Sequence, residues 1–474
     1  MTYTDMFLLV LYAITIVTTC ITLLVENRQP TKTLAWLMML IFLPIVGFIL
    51  YFFFGENSRK DRSISKKSLD KLTKQTMFEY NEQQNLTLPS QHSRLIYLFQ
   101  QQNMAFPFKD NNIEVYTSGY QFFLSLLKEI GQSTQHIHLL SYIFEDDALG
   151  NLIADALIDK AKQGVKVRVI YDDVGCWKVK NAFWTRMEQA GIMIYAFMPV
   201  RFPALSRKIN YRNHRKLCII DGKTSFIGGM NIALRYIKGT PKKAWRDTHL
   251  RITGGAVYGI QRAFLIDWYF VSGKLLNDNS LYPTLSHTIN NNCVAQVVTS
   301  SPIAAYPDIM QGYIRVLLEA KKYVYIETPY FLPTEPFMAA LRIASLSGVD
   351  VQLIIPLKTD SKIVHRASLS YMEEALHSGI KVFCYTAGFN HSKLLVCDDS
   401  LCSIGSTNID FRSFENNFES NIFIYSEQYA KKMKEIFELD LQQSVPFECI
   451  KKSRRYSFIA HLWQGIVRLL SPLL

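Results

Sequence analysis

Apolar residues fall along this chain in three rhythms. From Met6 to Val25, and again from Leu34 to Phe54, they run almost unbroken, each run about 20 residues long. A helix of that length matches a hydrocarbon core of roughly 30 Å. The two runs therefore predict a transmembrane hairpin, residues 1–55, with spans at about 6–25 and 34–54. MTYTD before the first run and ENRQP after it lack the basic start and small-residue cleavage site of a signal peptide. Pro44 and Gly47 in the second run are tolerated in membrane helices, where neighbouring groups satisfy the freed backbone. Residues 56–110 then read as a linker and the entry to a folded body. The part near 56–90 is polar, rich in Lys, Gln and Ser, and partly helical in pattern.

From about Asn112 the rhythm changes to short apolar strands alternating with helical periods. Ile137–Phe144 reads as a strand, Leu149–Gln163 as a helix stopped by Gly164, and Val165–Tyr171 as a strand. Ala182–Ala190 is a helix stopped by Gly191, and Ile192–Phe197 a strand. The same order returns later. Tyr323–Phe331 is a strand, Pro336–Leu346 a helix stopped by Gly348, and Val351–Pro356 a strand. Lys362–His377 is a helix stopped by Gly379, and Ile380–Tyr385 a strand. GVKVRVIY at 164–171 and GVDVQLII at 348–355 hold the same place in each half. Such alternation predicts an α/β sheet per half, over 111–280 and 293–450, with the boundary in the polar stretch Asn277–Asn292.

Charge adds a direction. The formal net charge is +12, which suits a polyanionic partner such as nucleic acid or an anionic membrane surface. Arg59, Lys60, Arg62, Lys66, Lys67, Lys71 and Lys74 follow the second run, against Arg28 and Lys32 in the connector between the runs. Positive residues stay on the cytoplasmic side, so the body is expected in the cytoplasm. The eight cysteines are scattered without a Cys-x-x-Cys, and no Cys/His spacing suits zinc. Residues 451–474 place Lys451, Lys452, Arg454 and Arg455 ahead of a stripe of Phe458, Leu462, Ile466 and Leu469. This basic amphipathic helix is open to two readings: it lies on a membrane or packs on the body.

The chemistry lies in a pattern written twice. His214 opens HRKLCIIDGKTSFIGGMN and His391 opens HSKLLVCDDSLCSIGSTN. From each His a Lys stands at +2 (Lys216, Lys393), an Asp at +7 (Asp221, Asp398), a Gly at +14 and an Asn at +17 (Asn231, Asn408). In a strand, residues two apart share a face, so His and Lys point together. The Asp has the opposite parity and falls where a turn begins, which gives it a structural role. Two equivalent histidines in two half-domains suggest one site built across a pseudo-twofold axis.

The pattern resembles the phospholipase D superfamily. With the segment ENRQPTKTLAWLMMLIFLPIVGFILYFFFG and the ending SPLL, it resembles the bacterial cardiolipin synthases of that superfamily. The resemblance implies two phospholipase D-like α/β/α half-domains behind a membrane hairpin. It also implies phosphatidyl transfer between two phosphatidylglycerol molecules through a phosphatidyl-His intermediate, without metal or organic cofactor. It counts Asp221 and Asp398 with the catalytic set. A neutral imidazole attacks phosphorus. A second His serves as acid and then base. Lys216 and Lys393 hold the nonbridging oxygens, with Asn231 and Asn408 as further donors. The resemblance makes His214 the nucleophile and His391 the acid/base, although the residues themselves leave either in either role. It also implies a carboxylate downstream of each motif to fix the imidazole. Asp247 in AWRDTHL fits the first and Glu419 in NNFESN the second, with Glu415 close enough to compete. Where the second half has Ser406 the first has Gly229; the Ser hydroxyl either binds phosphate or simply marks a close backbone approach. The hairpin favours anionic phospholipid over nucleic acid as partner. A phospholipase D hydrolase, a phosphatidylserine synthase-like transferase and a lipid-binding scaffold remain as alternatives, and oligomeric state is open.

Overall fold

The computed structural model describes residues 3–25, 30–51, 77, 86–200, 210–240, 244–276, 278–285, 291–453, 458–469 and 471. The loop at 26–29, the basic stretch 59–74, most of the linker, Arg454 and Arg455 lie outside these residues, as does part of the 277–292 boundary. Two compact units result, Met1–Arg62 with Val200–Asn210, and Ser63–Pro199 with Tyr211–Leu474.

In the smaller unit the first apolar run is one helix, Tyr3–Val25. Three of its hydroxyls are satisfied within the helix: Thr18, Thr19 and Thr22 each donate to the carbonyl four residues back, at 2.7, 2.8 and 2.9 Å. The second run differs from the single span expected. It forms two helices, Pro30–Phe42 and Pro44–Leu50, broken at Leu43. Pro44 has no N–H to continue the first ladder and starts the next helix instead. Among the described residues no helix is long and apolar enough to cross a membrane.

Among the described residues the larger unit holds two large sheets and two two-stranded ones. A two-residue strand, β1 (Pro107–Phe108), belongs to the second large sheet. The first comprises β2 (Asn112–Tyr116), β3 (His136–Ser141), β4 (Lys166–Asp172), β5 (Met193–Phe197), β6 (Leu217–Ile220), β7 (Thr224–Gly228) and β9 (His249–Thr253). Their order is β2-β9-β7-β6-β3-β4-β5, with β3, β4 and β5 parallel and β6 antiparallel to β3. A short strand, β8 (Ala244–Arg246), stands outside it.

The second sheet repeats this arrangement. Its members are β10 (Val294–Ser300), β11 (Tyr323–Glu327), β13 (Asp350–Pro356), β14 (Lys381–Tyr385), β16 (Leu394–Cys397), β17 (Leu401–Gly405), β19 (Glu419–Tyr425) and β20 (Ser444–Pro446). Between them fall the small strands β12 (Phe331–Leu332), β15 (Gly388–Asn390) and β18 (Ile409–Asp410). The order β10-β19-β17-β16-β11-β13-β14 matches the first sheet strand for strand, with β1 and β20 added at the edges.

The helices expected between strands are present. Ala148–Lys162 starts at Asp147, whose carboxylate caps Gly150 N at 2.9 Å, and Asn181–Gln189 follows β4. Glu335–Leu346 and Lys362–His377 hold the matching places. Gly164, Gly191, Gly348 and Gly379 all stop their helices with φ between +80° and +91°, where a side chain would be strained. The helices Gly119–Gln132, Ala256–Ser272, Asp308–Glu319 and Glu427–Gln442 went unread in the sequence. Ala256–Ser272 is buried on most sides, so its apolar residues show no single stripe.

Three apolar cores alternate with the two large sheets. Along β6, Leu217 and Ile219 enter a shared central core while Cys218 and Ile220 face the first half's own core. Along β16, Leu394 and Val396 join that central core from the other side, and Leu395 and Cys397 face the second half's core. The two halves are thus cemented through residues of alternating parity on each motif strand.

The C-terminal helix Phe458–Leu469 packs on the body. Arg468 pairs with Glu374, donates to Ser370 Oγ at 3.1 Å and lies 4.2 Å above the Tyr371 ring. All three partners belong to Lys362–His377. Leu462, Trp463, Ile466 and Leu469 face outward and are exposed.

Candidate active site

Each motif histidine sits just ahead of its strand, not within it: β6 begins at Leu217 and β16 at Leu394. The alternation of sides still holds. Arg215 turns away from His214 and reaches Asp267 at 2.7 Å. Both histidine segments are held by the opposite half. His214 N donates to Phe418 O at 2.9 Å, and His391 N donates to Arg246 O at 2.7 Å. Strands β8 and β15 pair across the same seam, and Thr248 Oγ1 meets Ser392 Oγ at 2.8 Å.

That crossing exchanges the carboxylates. Glu419, downstream of the second motif, stands 3.0 and 3.2 Å from His214 Nδ1. Asp247, downstream of the first, stands 2.7 Å from His391 Nδ1. Each carboxylate serves the other half's histidine, because Phe418 and Arg246, the residues just before them, hold the opposing strand. Glu415 instead falls in the short π-helix Arg412–Asn416. His214 Nδ1 also lies 3.1 Å from Ser406 O. Both neighbours are acceptors, so Nδ1 carries the proton and Nε2 keeps its lone pair.

The supporting contacts explain the one visible difference between the motifs. Ser406 Oγ donates to Glu419 Oε2. Gly229 holds the equivalent place, and a Cβ there would stand 2.1 Å from Asp247 Oδ1. The shorter Asp side chain places its carboxylate where that Cβ would stand, and leaves room only for glycine. Ser406 therefore fixes a carboxylate.

Burial governs the charges. It pushes His214 down to about 4 despite Glu419, and His391 down to about 4, with Lys393 lowering it further against Asp247. Both imidazoles are neutral at pH 7. Burial also lowers Lys393 to about 8 and takes Lys216 well below the usual lysine range. Burial would raise Asp247 and Glu419, but Lys393 and His391 outweigh it for the first, and His214 and Lys216 for the second, so both stay below the ordinary carboxylate range.

His214 and His391 open into one cavity of about 550 Å³, in the size range of small-molecule sites. Asn231 and Asn408 line it too. Asn231 is partly engaged, accepting from Ile143 N at 3.1 Å and donating to Tyr236 OH at 2.7 Å. Asn408 Oδ1 is buried without a hydrogen-bond partner among the described residues. Lys216 and Lys393 stand behind the histidines. Lys216 Nζ donates to His214 O at 2.5 Å and Lys393 Nζ to His391 O, with Lys393 Nζ standing 2.9 Å from His391 Nδ1.

Asp221 and Asp398 are not in the cavity. They close the far ends of β6 and β16 with φ of 54° and 49°. Asp221 accepts from the backbone N–H of Thr134, Gln135 and His136 at 2.8–2.9 Å and from Ser133 Oγ. Asp398 accepts from Lys321, Lys322 and Tyr323 N at 2.7–2.9 Å. They clamp the start of β3 and β11, which corrects their inclusion among the catalytic residues. Their opposite parity to the histidines and their place at a turn predict such a structural role.

Several site residues were missed. Asn213 and Asn390 precede both histidines, and each side-chain oxygen accepts the N–H two residues on, at 3.2 and 2.9 Å, bending the chain there. Arg235 and Arg412 stand at +21 from the two histidines, and both line the cavity. These repeats were legible in the sequence. The aromatic walls were not: Tyr142 meets His214 edge-on at 4.9 Å and Trp245 lies 5.4 Å from His391. Among the described residues no group of three or more His, Cys, Asp and Glu is arranged to hold a metal.

Two similar α/β halves sharing one histidine pair define the architectural class. Its fold recurs in the phosphatidylserine synthase of Haemophilus influenzae, with a TM-score of 0.61 at 16% identity, over 81% of this chain and 100% of that one. A family model described as cardiolipin synthase, PLD-like domain, matches residues 126–240 and 313–441, and one described as phospholipase D-nuclease N-terminal matches 8–56. The cardiolipin synthase of Oceanobacillus iheyensis is 40% identical over 464 residues, 95% of each chain. The major cardiolipin synthase ClsA of Bacillus subtilis is 38% identical over 100% of each. The chain belongs to the cardiolipin synthase family with phospholipase D-like domains.

Proposed function

We propose that the chain joins two phosphatidylglycerol molecules into cardiolipin and glycerol. One observation carries this reading: both motif histidines open into a single cavity, each tied through Nδ1 to a carboxylate of the other half. His214 Nε2 attacks the phosphorus of the first lipid. The P–O bond to its glycerol headgroup breaks, and His391 gives the leaving oxygen a proton. A terminal hydroxyl of the second lipid then returns a proton to His391 and attacks, the P–N bond breaks, and both histidines are restored. The proton on His391 is taken up with substrate, since a phosphodiester anion in the cavity opposes the burial and lysine charge that keep the empty site neutral. Lys216 and Lys393 each use one N–H on a histidine carbonyl and hold others for the phosphoryl oxygens. Asn231 and Asn408 line the same space as further contacts. The two halves, about 111–280 and 293–450, act as pseudo-twofold partners.

Purified protein with phosphatidylglycerol tests the reading. Cardiolipin with matching glycerol supports it, phosphatidic acid makes the protein a hydrolase, and lipid binding without turnover makes it a scaffold. We further propose that residues 1–55 anchor the chain in the bacterial plasma membrane with the body in the cytoplasm. The support is the exposed row Phe7, Val10, Ile14, Val17, Ile21 and Leu24, together with the basic stretch after the second run. An impermeant thiol reagent on intact cells should reach a cysteine placed near Pro30 and miss one near residue 80; the reverse labelling would overturn this topology.

A further inference from the structure

The two arginines at +21 are equivalent in sequence and unequal in surroundings. Arg235 pairs with Glu145 and lies 5.3 Å from the Trp245 ring, so its charge is answered within the protein. Arg212, also in the wall, pairs with Asp172 at 3.4 Å. Arg412 lines the same cavity, and no carboxylate among the described residues pairs with it. Of the acids lining the cavity, Asp410 accepts from Ser413 N at 2.6 Å and Asp360 from Tyr330 OH at 2.7 Å. A half-buried guanidinium facing a cavity wants an anion, and its planar fork suits phosphate oxygens.

This inference rests on the proposed reaction. In its second step two lipid phosphoryl groups occupy the cavity together. One is bound to histidine and reacts, between two His–Lys sets. The other belongs to the acceptor lipid and does not react, and the residues described so far leave it no cation. We propose that Arg412 binds this second, non-reacting phosphodiester, and so selects a phospholipid rather than water or a simple alcohol as acceptor.

The test is a competition. Full-length enzyme receives phosphatidylglycerol in mixed micelles with ethanol, and cardiolipin and phosphatidylethanol are measured from one reaction. Their ratio does not depend on how much protein is folded. Arg412→Gln should lower the ratio about tenfold, the loss of one charge-assisted contact. Arg412→Lys should restore part of it, since it keeps the charge but not the fork. An unchanged ratio, at any total rate, would overturn the proposal. Loss of both products in both variants would overturn it too, by assigning Arg412 to the reacting phosphoryl group. If wild-type enzyme makes no cardiolipin, the underlying reaction is wrong, and the failure is not that of Arg412.

Discussion

The two imidazoles owe their chemistry to what surrounds Nδ1. Glu419 and Ser406 O fix the His214 tautomer, and Asp247 does the same for His391. Each carboxylate should therefore matter as much as a histidine. Glu419→Gln and Asp247→Asn are expected to lower kcat on the order of 10³–10⁴-fold, as loss of a tautomer-fixing carboxylate does elsewhere, with unchanged expression and lipid binding. Full activity in either variant would break the exchanged arrangement. Burial sets the titration. A free imidazole loses its proton near 6.5, whereas His214 and His391 should do so near 4 by ¹⁵N NMR. The sign follows. Between 6.5 and about 4 the unfolded chain binds the protons first, so these two residues withdraw stability as pH falls through that window and have no effect above it. Lys393 loses its charge near 8, so phosphatidylglycerol binding should weaken above that pH. Imidazole midpoints near 6.5 would show that the site is wetter than its burial implies.

Strands β6 and β16 have a chemical end and a structural end. His214 and His391 precede them, and Asp221 and Asp398 follow, holding the first residues of β3 and β11. Asparagine keeps the left-handed backbone these positions need but removes a charged acceptor from three amides. Asp221→Asn and Asp398→Asn should each cost about 1–3 kcal/mol of stability and leave kcat per folded molecule unchanged. A large kcat loss with normal stability would return these residues to the chemistry.

How the protein meets lipid involves its distant parts. The C-terminal helix is clipped by Arg468 to Lys362–His377, and Ser361 and Val364 at the start of that helix line the cavity. Its outward Leu462, Trp463, Ile466 and Leu469 form an apolar face beside the element that walls the site. Deleting residues 458–474 should lower turnover on vesicles, most in bilayers poor in anionic lipid, and lower it much less in detergent micelles, where no bilayer has to be met. Equal losses in both would give the helix a purely packing role.

The sequence by itself determined the strand–helix rhythm, the four glycine stops, the duplication and the identity of both histidines. These follow from local period and fixed spacing, which one chain records directly. It also held two signals left unread, the Asn before each His and the Arg at +21. The sequence did not decide which carboxylate serves which histidine. Asp247 lies 33 residues from His214 in the chain, yet belongs to His391, because β8 pairs with β15 across the seam. Nor could it give Arg412 a different environment from Arg235, or show that Asp221 takes up the backbone N–H groups at the start of β3. Those outcomes depend on which groups two folded halves bring within hydrogen-bonding distance, and only the tertiary structure fixes them.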